Sequence, residues 1–434
     1  MKSKILFILL IGTVLTPSFA YLDPGTGSML LSALIAIFAS LFFGIKALYY
    51  KLSTFALRLA GVKVDKTMHE LVIYSEGHNY WSTFEPIVQT LLDRGQEVLF
   101  LTSSEKDPAL KLEHPLFEAK YIGEGNRAFV YLSFIEAKVC LLTTPGLDVL
   151  QLKRSKGVKQ YVHLLHSLSS LGSYKIFSFD YYDAILCSGN YQKEEFRLLE
   201  ERRGTAPKLL LDSGCPYIDT IAHRAEKAKL EQVDAPQKRR QILIAPSWGA
   251  NGLLRHLPID VFKSILAQEV DVVIRPHPQS MISEKELIEG LQENLKGFGN
   301  LRFDFNPDNF ESLSTSDLLI SDFSGINFDF ALAFERPIIT VGTTFEADGF
   351  ERFDLTDRPM WEAEVIPQMG LRITKDELTD LPKLIESVVE NTQYIDNIQK
   401  LKADTFYNFG TSRSIIADQI QQLLGHEEGV AHAR

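Results

Sequence analysis

The chain has 434 residues, 45% hydrophobic and 23% charged, which excludes a disordered chain and exceeds what one compact domain usually holds. The net charge is −11; beyond residue 66 it deepens to −16, with 38 basic residues against 54 acidic ones, which excludes the basic footprint of a nucleic-acid binder. The three cysteines, Cys140, Cys187 and Cys215, are scattered without Cys-x-x-Cys spacing or a neighbouring His cluster, which argues against zinc and fits a reducing compartment.

At the N-terminus an apolar run from Ile5 to Leu15 follows Lys2 and Lys4 and ends at Ser18-Phe-Ala20, a signal-peptidase-like site. After the turn Asp23-Pro-Gly-Thr-Gly27, the stretch Met29 to Ala47 is apolar and uncharged up to Lys46, long enough for a transmembrane helix. Lys46, Lys51, Arg58, Lys63 and Lys66 follow against the single Asp65, and this basic collar orients everything downstream toward the cytoplasm. An uncleaved hairpin and a cleaved signal followed by a stop-transfer helix both give that orientation. The alternative is a secreted protein whose second apolar stretch is a core helix. The collar fixes topology and offers a surface for anionic headgroups.

From Glu70 onward, short apolar runs alternate with amphipathic stretches. Leu71–Tyr74 reads as a strand, Thr83–Leu92 as a helix and Glu97–Leu101 as a strand, followed by strands at Ala137–Leu142, Gln160–Leu164 and Ala184–Cys187. This βαβ rhythm predicts a doubly wound parallel sheet over residues 67–225. The polar segment Arg224 to Arg240, with Pro236, reads as a linker or exposed helix. Strands at Gln241–Ala245, Asp271–Arg275, Leu301–Asp304, Asp317–Ser321 and Pro337–Val341 then build a second such domain over residues 226–434. The expected architecture is α/β: two Rossmann-like domains facing a cleft, preceded by a membrane anchor in residues 1–66. Open α/β sheets bind ligands at the carboxyl ends of their strands, so the cleft is the expected site.

Three segments carry candidate chemistry. In Ser316 to Pro337 a buried strand ends at Ser321, a short polar turn follows, and Ser324 is placed to cap the next helix. The helix dipole, free amides and the Ser321 and Ser324 hydroxyls suit a diphosphate, and Gly325 allows close approach of an oxygen. The same pattern also serves as ordinary scaffolding. In Arg275-Pro-His-Pro278 two prolines fix His277 at a strand end, where it can serve a phosphate with Arg275 as a forked cation, or simply bond a neighbouring carbonyl. In Tyr161 to Ser170, His163 belongs to a strand while His166 follows it, making His163 the structural and His166 the chemical histidine, a general base for an acceptor hydroxyl. His78 and Tyr80, in Glu76-Gly-His-Asn-Tyr-Trp-Ser-Thr83, either reach the acceptor wall or close their loop.

Taken in order, these segments resemble the CDP-glycerol glycerophosphotransferases of teichoic-acid-type polymer synthesis, over about Tyr74 to Ile420. The marks are Arg275-Pro-His-Pro278, Ser321-Asp-Phe-Ser-Gly-Ile-Asn-Phe-Asp329 followed by Arg336-Pro-Ile-Ile339, and Asn408-Phe-Gly-Thr-Ser-Arg413. Ile242-Leu-Ile-Ala-Pro-Ser-Trp248 and Asp212-Ser-Gly-Cys-Pro-Tyr217 add support. The resemblance implies a GT-B architecture, His166 as acceptor-side catalytic histidine, His277 beside the donor diphosphate, and Ser324 and Arg413 as phosphate contacts. It implies a CDP-activated donor, a lipid-linked or polymer acceptor at the membrane, and no nucleic acid. Two departures stand out: Ser167 follows His166 where the family usually has Gly, and Gly325 replaces the usual second serine. No Asp-x-Asp is present to hold a metal on the diphosphate, so no metal or other cofactor is expected. The rival readings are a nucleotide-sugar glycosyltransferase on the same frame and a noncatalytic membrane scaffold.

Overall fold

The computed structural model describes residues 67–149, 151–231, 239–342 and 349–425. The expected transmembrane stretch Met29 to Ala47 and its basic collar lie outside them, and among the described residues no helix is long and apolar enough to cross a membrane.

Thirteen strands in the described residues form two wholly parallel sheets. The first contains β1 (Met68–Ser75), β2 (Val98–Thr102), β3 (Phe117–Tyr121), β4 (Glu136–Leu142), β5 (Gly157–Leu164), β6 (Ala184–Cys187) and β7 (Leu209–Asp212), in the order β3-β2-β1-β4-β5-β6-β7. The second contains β8 (Arg240–Ile244), β9 (Val270–Ile274), β10 (Leu301–Phe303), β11 (Leu318–Ser321), β12 (Ile338–Val341) and β13 (Gly370–Ile373), in the order β10-β9-β8-β11-β12-β13. Each order reverses once, between β1 and β4 and between β8 and β11, and such a switch point leaves a crevice at the carboxyl ends of the strands. This is the doubly wound pair the sequence predicts.

Helices cover both faces, which is why the central strands are almost continuously apolar. Along β1, Val72 and Tyr74 enter one core while Leu71 and Ile73 enter the other; along β8, Ile242 and Ile244 part from Leu243 in the same way. The strands absent from the sequence reading, β3, β7 and β13, all lie at sheet edges. Edge strands bury less, and Phe-Glu-Ala-Lys-Tyr in β3 carries only one buried residue, so its hydrophobic signal is weak.

The expected boundary at residue 226 falls inside a helix, and the chain crosses between the two sheets twice. The helix Pro216–Glu231, which absorbs the start of the expected linker, packs Ile218 and Ile221 with Leu243, Phe328 and Phe330 of the second domain. At the far end, the helix Ser412–Gly425 returns to the first sheet, where Ile416, Ile420 and Leu424 join Leu71, Ile73 and Phe84. The first crossing turns at Gly214, whose φ of +90° is costly for a residue with a side chain and whose added Cβ would stand 2.6 Å from the Tyr407 carbonyl oxygen. Sequence pattern marks an amphipathic helix but not which sheet it covers.

Candidate active site

A cavity of about 350 Å³ opens where the two sets of strand ends meet, and it is lined by His166 and Ser167 from the first domain and by His277, Ser324 and Gly325 from the second. Far apart in the chain, the two histidines the sequence singles out thus share one chamber.

His166 stands two residues past the end of β5, edge-on to Tyr80 at 5.2 Å and to Tyr174 at 6.3 Å between ring centroids. Burial lowers its pKa to about 4, so the ring is neutral at physiological pH, and its Nδ1 has no hydrogen-bond partner among the described residues. A neutral imidazole on the wall of a cavity is equipped to accept a proton through a nitrogen that faces it. His163, by contrast, is fully buried within β5 between Phe179 and Tyr182, and burial holds its pKa far below the usual range. It is a core residue.

The loop that follows His166 is fastened from both domains. Glu195 accepts the Leu171 amide at 2.7 Å from the first domain, and Glu362 accepts the Ser170 amide at 2.7 Å from the second. Tyr191 donates its hydroxyl to the Leu168 carbonyl and stacks flat on Trp361 at 3.8 Å. Burial raises the Glu195 pKa to about 7.

On the opposite wall, Nδ1 of His277 accepts the Gln279 amide at 3.1 Å. That bond assigns the ring proton to Nε2, which leaves a donor available for an anionic oxygen. Burial lowers the pKa of this half-buried ring as well, so the neutral donor form dominates at pH 7. Trp248, 47% exposed, lies 6.3 Å from His277 between ring centroids and offers a flat apolar face nearby.

The helix Ile326–Phe334 begins at the cavity, and Ser324, Gly325 and Ile326 all line it. The first amides of a helix have no partner within it and carry the positive end of its dipole, a ready site for phosphate. Ser324 does not cap the helix as expected. Gly325 occupies the cap position without a side-chain bond, while the Ser324 amide binds Asp322 at 3.1 Å. Gly325 sits at φ −60° and a Cβ there would meet only Ser169 Oγ at 3.9 Å, so the glycine leaves open space and is not demanded by the turn.

Four of the expected site residues are placed differently. Arg275 lines the cavity but is buried, its guanidinium bonding Asp304 and the Asn306 carbonyl at 2.6 Å each; its charge is already compensated, and it holds the loop after β10. Ser321 is fully buried and donates to the Ala245 carbonyl at 2.8 Å, tying β11 to the end of β8 across the switch point. Arg413 is exposed in the first turn of the last helix, near Asp219 and outside the cavity lining. His78 is exposed and contacts Ser104 Oγ at 3.2 Å, so it closes its loop, whereas Tyr80 reaches His166.

Two acidic residues emerge only from the structure. Asp322 accepts the Ser247 and Leu253 amides at 2.9 Å each besides that of Ser324, which shapes the turn before the helix Ile326–Phe334. Asp329 lines the cavity, accepts the Tyr217 hydroxyl at 3.3 Å and has its pKa raised by burial to about 7. Both lie inside the Ser321 to Asp329 motif, and the sequence signal for Asp329 is a carboxylate one helical turn past Gly325, on the same helix face.

Two facing parallel-sheet domains with this crevice define a GT-B-like α/β fold. Solved structures with that fold include the wall teichoic acid polymerase TagF, at 17% identity over 82% of this chain and 89% of that one with a TM-score of 0.51. The UDP-GlcNAc 2-epimerase from Neisseria meningitidis, at 12% identity, covers 82% of this chain and 100% of that one with a TM-score of 0.52. At these identities the likeness concerns the fold alone. The family profile described as CDP-Glycerol:Poly(glycerophosphate) glycerophosphotransferase matches residues 167–415, and the chain belongs to that family. The teichoic acid poly(glycerol phosphate) polymerase of Bacillus spizizenii is 26% identical over 172 residues, 36% of this chain and 40% of that protein, so the match spans less than half of the curated relative.

Proposed function

We propose that the protein transfers glycerol phosphate, or a related polyol phosphate, from a CDP-activated donor to a hydroxyl of a lipid-linked or polymer acceptor in cell-surface polymer synthesis. The observation that carries this reading is the shared cavity, which gathers a neutral buried His166, the Nε2–H of His277 and a helix start suited to phosphate in a chain of the glycerophosphotransferase family. His166 takes the proton of the acceptor hydroxyl as that oxygen attacks the β-phosphorus of the donor. A P–O bond forms, the bond from the β-phosphorus to the bridging oxygen breaks, and CMP leaves with the electron pair. His277 and the amides at Gly325 and Ile326 stabilise the charge spreading over the phosphates. These groups supply the stabilisation that a divalent metal supplies elsewhere, so the reaction is proposed to run without one.

The reading includes attachment to the cytoplasmic membrane through Met29 to Ala47 with both sheets on the cytoplasmic side, supported by the basic collar that follows. The deciding experiment incubates the full-length protein with CDP-glycerol and a membrane-lipid extract and follows CMP and lipid-linked phosphate in the wild type, His166→Ala and His277→Ala. CMP and a glycerophosphorylated product in the wild type alone support the assignment. Release of a nucleoside diphosphate from a nucleotide sugar, with no turnover of CDP-glycerol, supports glycosyl transfer instead.

A further inference from the structure

The residues that follow His166 are held unusually closely for a loop. Leu168, Ser170 and Leu171 are buried, and every residue from Ser167 to Leu171 has a backbone group bound by a side chain from elsewhere in the chain. Gln192 donates to the Ser167 and Ser169 carbonyls at 3.4 and 3.2 Å, Tyr191 donates to the Leu168 carbonyl, and Glu362 and Glu195 accept the Ser170 and Leu171 amides. Buried backbone groups need partners wherever they occur, so their satisfaction alone does not set this loop apart.

The origin of the partners does. Tyr191, Gln192 and Glu195 stand on the first-domain helix Asn190–Arg203, whereas Glu362 belongs to the helix Trp361–Met369 of the second domain. Its neighbour Trp361 stacks on two rings, Tyr191 at 3.8 Å and Phe328 at 5.2 Å between centroids. Phe328 lies in the helix Ile326–Phe334, whose start lines the cavity, so three rings connect the anchor of the His166 loop to the opposite wall. The carboxylates are a poor choice for stability alone. Burial, and after it the charge of Glu362, push the Glu195 carboxyl up to about 7, and the second Glu362 oxygen is buried without a partner among the described residues. A costly arrangement that pins a backbone in place is what a reacting group requires of its support.

We propose that Glu362 and Tyr191 are positioning residues for the transfer: Glu362 through the Ser170 amide and Tyr191 through the Leu168 carbonyl fasten the loop that carries His166 to the second domain, with Trp361 as the joint, so that the imidazole meets an acceptor hydroxyl in line with a donor on the opposite wall. The inference rests on the reading of His166 as the base of CDP-glycerol turnover.

The test compares the full-length wild type with Glu362→Ala, Glu362→Gln and Tyr191→Phe, and repeats Glu362→Ala and Tyr191→Phe in the His166→Ala background. Tyr191→Phe keeps its ring on Trp361, and Glu362→Gln keeps an oxygen for the Ser170 amide. Glu362→Ala and Tyr191→Phe are expected to bind CDP within about twofold of wild type by titration calorimetry while kcat falls roughly ten- to a hundredfold, the effect of a misplaced base, and Glu362→Gln is expected to recover kcat to within about threefold. Because both residues act through His166, removing either is expected to change the residual kcat of His166→Ala by less than about twofold. Equal losses of kcat in both backgrounds would mark a merely structural role and overturn the proposal. A single variant whose kcat stays within about twofold of wild type overturns it for that residue. A wild type that turns over no CDP-glycerol defeats the donor reading, and undiminished kcat in His166→Ala defeats the base; the positioning role falls with either, whereas its own failure leaves both standing.

Discussion

Replacing His166 with alanine probes the acceptor-side chemistry most directly, and the structure sets its scale. Burial beside Tyr80 and Tyr174 lowers the imidazole pKa from an ordinary 6.5 to about 4. At about 1.4 kcal/mol per pKa unit, that shift favours the neutral ring by about 3 kcal/mol. The base is therefore available throughout the range from about pH 5 upward, and kcat/KM, which reports the free enzyme, is expected to fall on the acid side near pH 4 and not near 6.5. His166→Ala is expected to lose roughly a hundred- to ten-thousand-fold in kcat, the usual contribution of a positioned general base, while CDP affinity stays within about twofold. Stability follows with a definite sign. Because the folded-state pKa lies below the unfolded one, the unfolded chain takes up the proton first as pH falls. Stability present above pH 6.5 is then lost between about 6.5 and 4, by up to about 3 kcal/mol from His166, and His163 acts in the same direction. CMP release across pH 4 to 8, alongside urea melts at the same pH values, measures both effects. An acid limb centred at 6.5, or an alanine variant retaining more than a tenth of wild-type kcat, would refute the assignment of His166 as the base.

Further outcomes follow from the other residues. Arg275→Ala is expected to destabilise the fold by about 3–5 kcal/mol by leaving Asp304 buried and unpaired, and adding Asp304→Asn is expected to recover much of the lost melting temperature. If the double variant melts no higher than the single one, the guanidinium has another role. Gly325→Ala, unstrained at φ −60° with its nearest neighbour at 3.9 Å, is expected to leave the melting temperature unchanged but weaken CDP-glycerol binding about tenfold, because the methyl group stands where phosphate meets the backbone. Unchanged affinity would move the diphosphate away from this turn. Turnover is expected to persist in excess EDTA, and its loss on chelation with recovery on added magnesium would show that a metal takes part. Ile420→Ala, in the last helix, is expected to cost about 2–5 kcal/mol, read from a denaturant melt as destabilisation of the first domain; an effect under about 1 kcal/mol would argue that this helix contributes little to the first core.

The sequence by itself determined the parallel α/β class, because central strands buried on both faces must read as short apolar runs between amphipathic helices, and β1, β4, β5, β8 and β9 all carry that pattern. It also marked His166, His277 and the Ser324-Gly325 turn, since each follows directly on a buried strand and strand ends converge on the crevice of such sheets. The tertiary structure decided what pairs with what. Whether Arg275 meets a phosphate or Asp304, whether Ser321 faces ligand or the Ala245 carbonyl, and which sheet the last helix covers all depend on groups tens to hundreds of residues away. The roles of Asp322 and Asp329 were hidden for the same reason: a buried carboxylate is defined by its neighbours, and local periodicity carries no record of them.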